Sequence, residues 1–304
     1  MWAGSKIQHV REETETMENK KPLCVHIPVL FAQKPCLLNA KNSILDVDLG
    51  TRKGYVRAMQ RELIAASQDM DDYEVVGIVF DTGAIQQFLA PEAAELVSAI
   101  RSHLNMAEKP CVVLECDVNS LDVHKCTYYK EMGVTMMDMR LYTSVMDEAR
   151  AIGRPCPHFS LKEPAEVLHK YGVEHIGAQV AAGIPGQDEN SLMVTLEDCV
   201  ACGAVHVTVI GLTGGQALVQ AADAFLQAHG YRCYAPGKYA REGWEMPFYP
   251  LGRTDVLGLG IGAESRIDGV LSRNKRNMKL YIRAAHDYTV ITESVEEIKA
   301  EPEV

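Results

Sequence analysis

A chain of 304 residues, 47% hydrophobic and 23% charged, has the composition of a folded globular protein and is long enough to bury a large core. Its formal net charge of −11 repels phosphate backbones, and the short basic cluster of Arg273, Lys275 and Arg276 is too small to make nucleic acid a partner. No uninterrupted apolar run of about 18 residues occurs, so no membrane span is expected. The polar start, 1–21, lacks the apolar core of a secretory leader, which makes the cytoplasm the expected compartment.

The first 22 residues, 1–22, are rich in charge and poor in apolar side chains, and are expected to form a flexible tail. Beyond them, short apolar or β-branched runs alternate with stretches of helical periodicity. Strands are predicted over 23–30, 73–80, 111–117, 134–141, 175–181 and 206–212. Helices are predicted over 52–67, 91–104, 121–132, 144–152, 164–171, 190–202 and 216–228. In 91–104, Ala94, Leu96, Val97 and Ile100 recur at helical spacings behind Pro91, which suits a first turn. The segment 293–304 is acidic, carries Pro302 and is expected to be a loosely held tail. Alternating strand and helix implies parallel strands joined by right-handed crossovers. The expected fold is therefore α/β, a single domain over 23–292 built as a partial (β/α)6 TIM-like barrel. An open doubly wound sheet has the same local pattern and stays as the alternative.

Nine cysteines without framework spacing read as reduced thiols, most of them small core residues. Cys199 and Cys202 form a lone CxxC near a predicted helix end, with no second pair at zinc spacing, so core packing is favoured over metal or redox chemistry. Ten histidines show no HxH or HExxH pairing, and no metal site is expected from them. GLGIGA, 258–263, satisfies a dinucleotide fingerprint, but it follows the sixth unit and no helical pattern stands behind it; a tight turn is the competing reading. Trp244, Phe248 and Tyr249 suit either a flat ligand or the packing of a barrel end.

Seven segments carry a family resemblance: HIPVLFAQKPC (26–36), FDTGAIQQFLAPE (80–92), VVLECDVNS (112–120), KEMGVTMMDMRLY (130–142), AIGRPCPHFSLKE (151–163), AAGIPGQDENS (181–191) and VLGLGIGAES (256–265). In order and spacing they resemble the landmarks of the radical S-adenosylmethionine (SAM) enzymes of the oxygen-independent coproporphyrinogen III oxidase and haem chaperone family. The resemblance implies a barrel of the radical SAM type. It also implies a loop after the first strand with three cysteines, Cys-x-x-x-Cys-x-x-Cys, whose thiolates hold a four-iron, four-sulfur cluster with SAM on the open iron. Here Cys36 is the one cysteine of that loop. As the first of the three it needs partners at Ala40 and Ser43, as the second at Ala32 and Asn39, as the third at Val29 and Gln33. An iron–sulfur cluster is therefore not expected.

The family's glycine-rich turn after the second strand is reduced to Gly83, with Asp81 and Thr82 in place of glycine, so SAM stands as a possible but doubtful cofactor. Glu115 matches the family's SAM-contacting glutamate. Gly183 and Gln187 match its Gly-x-Pro-Gly-Gln turn, and Gly260 its late glycine segment. Gly83, Glu115, Gly183, Gln187 and Gly260 are thus the candidate cofactor-binding residues. The segment 130–142 keeps Gly133 and Val134 but lacks the family's arginine and glutamine. Because barrel sites lie at the C-terminal ends of strands, Asp81, Glu115, Asp117 and Arg154 are the candidate acid, base and anion clamp. The first functional expectation is a cluster-free relative that binds a tetrapyrrole or another anionic small molecule as an accessory subunit. The second is a barrel enzyme refitted for non-radical chemistry, and the third a structural partner of an active homologue.

Overall fold

In the computed structural model, residues 20–32, 38, 44–45, 47–81, 90–121, 123–154, 160–244, 246 and 254–297 are described. Six parallel strands form the centre: β1 (Lys21–Pro28), β2 (Tyr73–Asp81), β3 (Met106–Asp117), β4 (Met136–Tyr142), β5 (His175–Ala182) and β6 (His206–Gly211), hydrogen-bonded in that order. A hairpin of β7 (Tyr231–Ala235) and β8 (Lys238–Arg241) joins β6 antiparallel through β8. At the other side β9 (Asp255–Gly258) runs parallel to β1 and leads into an antiparallel meander of β10 (Glu264–Ile267), β11 (Val270–Asn274) and β12 (Thr292–Glu297). The twelve strands stand in the order β12-β11-β10-β9-β1-β2-β3-β4-β5-β6-β8-β7, and the ends do not pair with each other, so the barrel is partial and open.

The helices are α1 (Leu49–Ser67), α2 (Ala90–His103), α3 (Val123–Met132), α4 (Met146–Ala151), α5 (Lys162–Lys170), α6 (Glu189–Ala201), α7 (Gln216–Ala228), α8 (Met278–Ala284) and α9 (Tyr288–Ile291). Local chemistry starts several of them. Asp48 caps α1 by accepting the Thr51 N–H at 2.9 Å, and Asp188 with Ser191 forms a reciprocal capping box on α6. The six strands and seven helices predicted from periodicity are all present, with boundaries that shift by a few residues. The meander was not anticipated. Its last strand takes 293–297 out of the segment expected to be a loose acidic tail and pairs it with β11.

Alternation along the strands sorts side chains into two cores. Leu23, Val25 and Ile27 of β1, Val112, Leu114 and Cys116 of β3, and Met137 and Met139 of β4 face the helices in the main hydrophobic core. Each such large aliphatic side chain contributes roughly 1.5–3 kcal/mol on burial. The opposite parity faces the barrel interior, where Cys24, Val79, Val113 and Met136 pack with Met246 and Trp244. Beside them His206, buried on β6, bonds through Nε2 to the Tyr234 hydroxyl at 2.9 Å and lies 5.2 Å from the Trp244 ring. This aromatic group sits where the parallel strands begin, so Trp244 packs the barrel's base; Phe248 and Tyr249 lie outside the described residues. Above that base the inward positions become polar.

Candidate functional site

Strand register lines up the polar inward residues. Glu115 of β3 stands opposite Asp138 of β4, and Asp138 opposite Gly177 of β5, which is opposite His206 of β6. One step nearer the C-terminal ends, Asp117, Arg140, Gln179 and Thr208 face one another across the same strands, and Thr208 faces Lys238 of β8. Two polar layers thus lie between an apolar base and the mouth.

At the mouth, Asp81 ends β2 and accepts a bond from or shares one with His26 Nε2 of β1 at 2.7 Å. Burial pushes the His26 imidazole down, but the Asp81 carboxylate outweighs it and the net shift is upward. On the next strands Arg154, buried in the turn after α4, donates to Asp117 and, through Nη1, to the Arg140 carbonyl at 3.2 Å. Its guanidinium also covers the Tyr142 ring, 4.6 Å from the centroid. Tyr142 has φ +65 where the β4–β5 register shifts, a left-handed conformation that a tyrosine rarely takes. Asp81, Glu115, Asp117 and Arg154 are therefore brought to one end of adjacent strands, as their sequence positions suggested.

The other candidates have internal employment. The Gln187 amide oxygen accepts the N–H groups of Gly183 at 2.7 Å and Ile184 at 3.2 Å, and its NH2 donates to Glu148 and to the Ala181 carbonyl, each at 3.1 Å. Gln187 therefore holds its own turn together. Gly183 has φ +101, and a Cβ there would lie 2.8 Å from the Gly215 Cα, so glycine is needed for two loops to touch. Gly183→Ala is expected to lower unfolding free energy by about 2–4 kcal/mol, through a strained φ and forced overpacking, as measured by denaturant midpoint. Gly260 gives its N–H to the buried carboxylate of Glu62 at 2.8 Å, and the Tyr55 hydroxyl occupies the place of a Cβ. GLGIGA leads from β9 into strand β10 rather than a helix, which removes the dinucleotide reading. Gly83 lies outside the described residues.

Residues missed in the sequence are Asp138 and Arg140. Asp138 is buried, accepts from the Gln179 amide at 2.7 Å through Oδ2, and leaves Oδ1 without a partner. Burial pushes its carboxyl up, against the Gln179 bond and the charges of Lys238 and Arg140. Lys238 donates to the Thr208 hydroxyl at 3.1 Å.

The described thiols serve packing. Cys24, Cys116, Cys126, Cys199 and Cys202 are buried in strands and helices, and burial raises the Cys24, Cys116, Cys199 and Cys202 thiols, Cys202 to about 11. Cys202 spends its S–H on the Cys199 carbonyl at 3.2 Å, so the CxxC is core packing. Among the described residues no three His, Cys, Asp or Glu side chains are grouped to hold a metal ion; Cys36 lies outside them.

No protein-family model matches the chain. It is 22% identical over 311 residues to the oxygen-independent coproporphyrinogen III oxidase of Pseudomonas aeruginosa, covering 90% of this chain and 67% of that protein. It is 21% identical over 255 residues to the heme chaperone HemW of Bacillus subtilis, covering 75% of this chain and 67% of the relative. Across the curated relatives it matches, the aligned share of their own length falls as low as 44%. Its fold is shared with Escherichia coli coproporphyrinogen III oxidase (HemN), described as a radical SAM enzyme, at a TM-score of 0.80 and 15% identity over 95% of this chain and 75% of that one.

The fold is thus that of the radical SAM proteins, with the barrel left open. Within that class its sequence is similar to those of the oxygen-independent coproporphyrinogen III oxidases and HemW. This corrects the expectation that no cluster, and only doubtfully SAM, goes with the chain. HemN-type relatives are radical SAM enzymes, for which both groups are the rule. The loop cysteine pattern was weighed there against a family whose members use that chemistry. Among the described residues no helix is long and apolar enough to cross a membrane.

Proposed function

We propose that the chain binds a tetrapyrrole, or another anionic small molecule, in the open barrel mouth, and acts as a binding or accessory subunit. The observation that carries this reading is the polar mouth itself, where Arg154, Arg140, Lys238 and His26 supply positive charge between carboxylates at the ends of parallel strands. In a chain whose net charge is −11 these cations stand among the carboxylates of Asp81, Glu115, Asp117 and Asp138, inside a low-dielectric wall that strengthens each interaction with a charged ligand. The names of its relatives, a coproporphyrinogen III oxidase and a heme chaperone, point to tetrapyrroles among anions.

Fluorescence titration with coproporphyrin is expected to saturate at one ligand per chain with a micromolar Kd. A flat titration through the micromolar range, with intact protein shown by its thermal transition, removes tetrapyrroles as the ligand class.

A further inference from the structure

The barrel wall carries a buried cation whose Nε meets no hydrogen-bond acceptor among the described residues. Arg140 lies on β4 at an inward position and is 6% exposed. Its Nε is buried without a hydrogen bond, and its guanidinium makes no hydrogen bond or ion pair with any described residue; only its backbone carbonyl is used, by Arg154. The charges of Glu115 and Asp117 favour the ionised guanidinium and outweigh its burial, without a hydrogen bond to it. Asp117 is held by Arg154, and Asp138 Oδ2 by Gln179. A buried guanidinium donor left without an acceptor costs free energy even where nearby carboxylates favour its charge, and its planar fork matches an oxyanion. Two more buried polar atoms without partners stand on the same wall: Asp138 Oδ1 on β4 and His206 Nδ1 on β6. Between their strands, at the same level, is Gly177. A Cβ there would lie 2.5 Å from Asp138 Oδ1, so this glycine keeps room for the Asp138 carboxyl. Three unsatisfied groups converging on one interior are the signature of a molecule that belongs there.

We infer that the barrel interior contains an oxyanion site centred on Arg140, which takes a carboxylate group of the bound ligand, with Asp138 and Gln179 bordering it. This rests on the proposed ligand class and deepens it: Arg140 is the residue that selects a free carboxylate over its ester.

The test compares wild type with Arg140→Met, using coproporphyrin, its methyl tetraester and succinate as probes. Wild type is expected to prefer the free acid, and Arg140→Met to lose between about tenfold and a hundredfold of that affinity while binding the ester unchanged, the effect of one charged hydrogen-bonded contact. Without ligand, Arg140→Met is expected to keep a single cooperative thermal transition at a Tm somewhat lowered by the lost attraction of Glu115 and Asp117 for the guanidinium; loss of that transition assigns Arg140 a structural role and overturns the inference. Equal acid affinity in the two proteins overturns it as well, and leaves tetrapyrrole binding standing. If neither porphyrin binds but succinate raises the Tm of wild type and not of Arg140→Met, the oxyanion site stands and the tetrapyrrole reading falls. If succinate and the porphyrins all leave wild type unchanged, both fail.

Discussion

Glu62→Ala is expected to lower unfolding free energy by on the order of 3–5 kcal/mol, and Glu62→Gln to abolish a pH dependence that wild type shows. Glu62 lies on α1, fully buried. Its carboxylate accepts from the Tyr281 hydroxyl of α8, from the Asn274 amide of β11 at 2.6 Å, and from the Gly260 N–H at 2.8 Å. Asn274 also donates to the Gly260 carbonyl at 2.9 Å, and the Tyr55 hydroxyl accepts the Ile261 N–H at 3.0 Å. One side chain thereby fastens α1, the glycine turn after β9, the meander and α8. Alanine leaves three buried donors without an acceptor and opens a void among them, and each orphaned group alone costs about 1–3 kcal/mol.

The pH effect follows from the same burial. Burial raises the Glu62 carboxyl to about 7, and the bonds from Tyr281, Asn274 and Gly260 pull it only partly back. A carboxyl whose pKa is higher folded than unfolded binds more protons in the folded state. Its contribution is therefore greatest below the unfolded value, near 4.3, and is lost as pH rises through about 7. The loss over that interval is on the order of 3 kcal/mol. Urea unfolding followed by circular dichroism at pH 5.5 and pH 8 measures it. Glu62→Gln should flatten the difference, because the amide has no charge to bury. An unchanged pH slope in that variant would show that other groups set it.

The sequence exposed the barrel strands because each is followed by a helix, and the change of period from about two to 3.6 marks both ends. The hairpin and meander were missed for the opposite reason. β8, β9 and β10 have four residues each, too few for alternation to declare itself, and β12 reads TESVEE, whose charges look like a solvated tail. In the sheet, Thr292 is opposite Asn274 and Val295 opposite Ser272, and the glutamates point outward along an edge, where charge discourages further pairing. Among site residues, Asp81, Asp117 and Arg154 were legible because they stand at strand or turn ends. Arg140 and Asp138 were not, since all seven residues of β4 are buried and burial on both faces erases the pattern that tells inward from outward. Their role depends on which residues of β3 and β5 they meet, and that is a property of register. Gln187 shows the converse failure: a motif position matched, yet the amide it brings is consumed by its own loop.

Arg154→Met is expected to destabilise the fold by about 3–5 kcal/mol and to weaken ligand binding at least about tenfold. The guanidinium is 8% exposed, and the Asp117 side chain that it meets is 17% exposed, so the pair is shielded from solvent and salt in a way that surface pairs are not. Removing the cation takes the ion-pair partner from a carboxylate that also accepts the Asn119 N–H at 3.0 Å. The second consequence is conformational. Arg154 also grips the Arg140 carbonyl and covers the ring of Tyr142, the residue whose φ is +65. Such a backbone state costs about 1–3 kcal/mol and persists because its surroundings hold it. Without Arg154 the end of β4 is free to relax, and it carries Arg140 and Tyr142 with it. A double-mutant cycle with Asp117→Asn separates the two effects. The stability loss should be strongly non-additive, because both single variants break one pair. The affinity loss should follow Arg154→Met far more than Asp117→Asn, because only the arginine touches the Tyr142 ring. Equal affinity losses in the two single variants would show that the charge pair, and not the posture of the strand end, shapes the mouth.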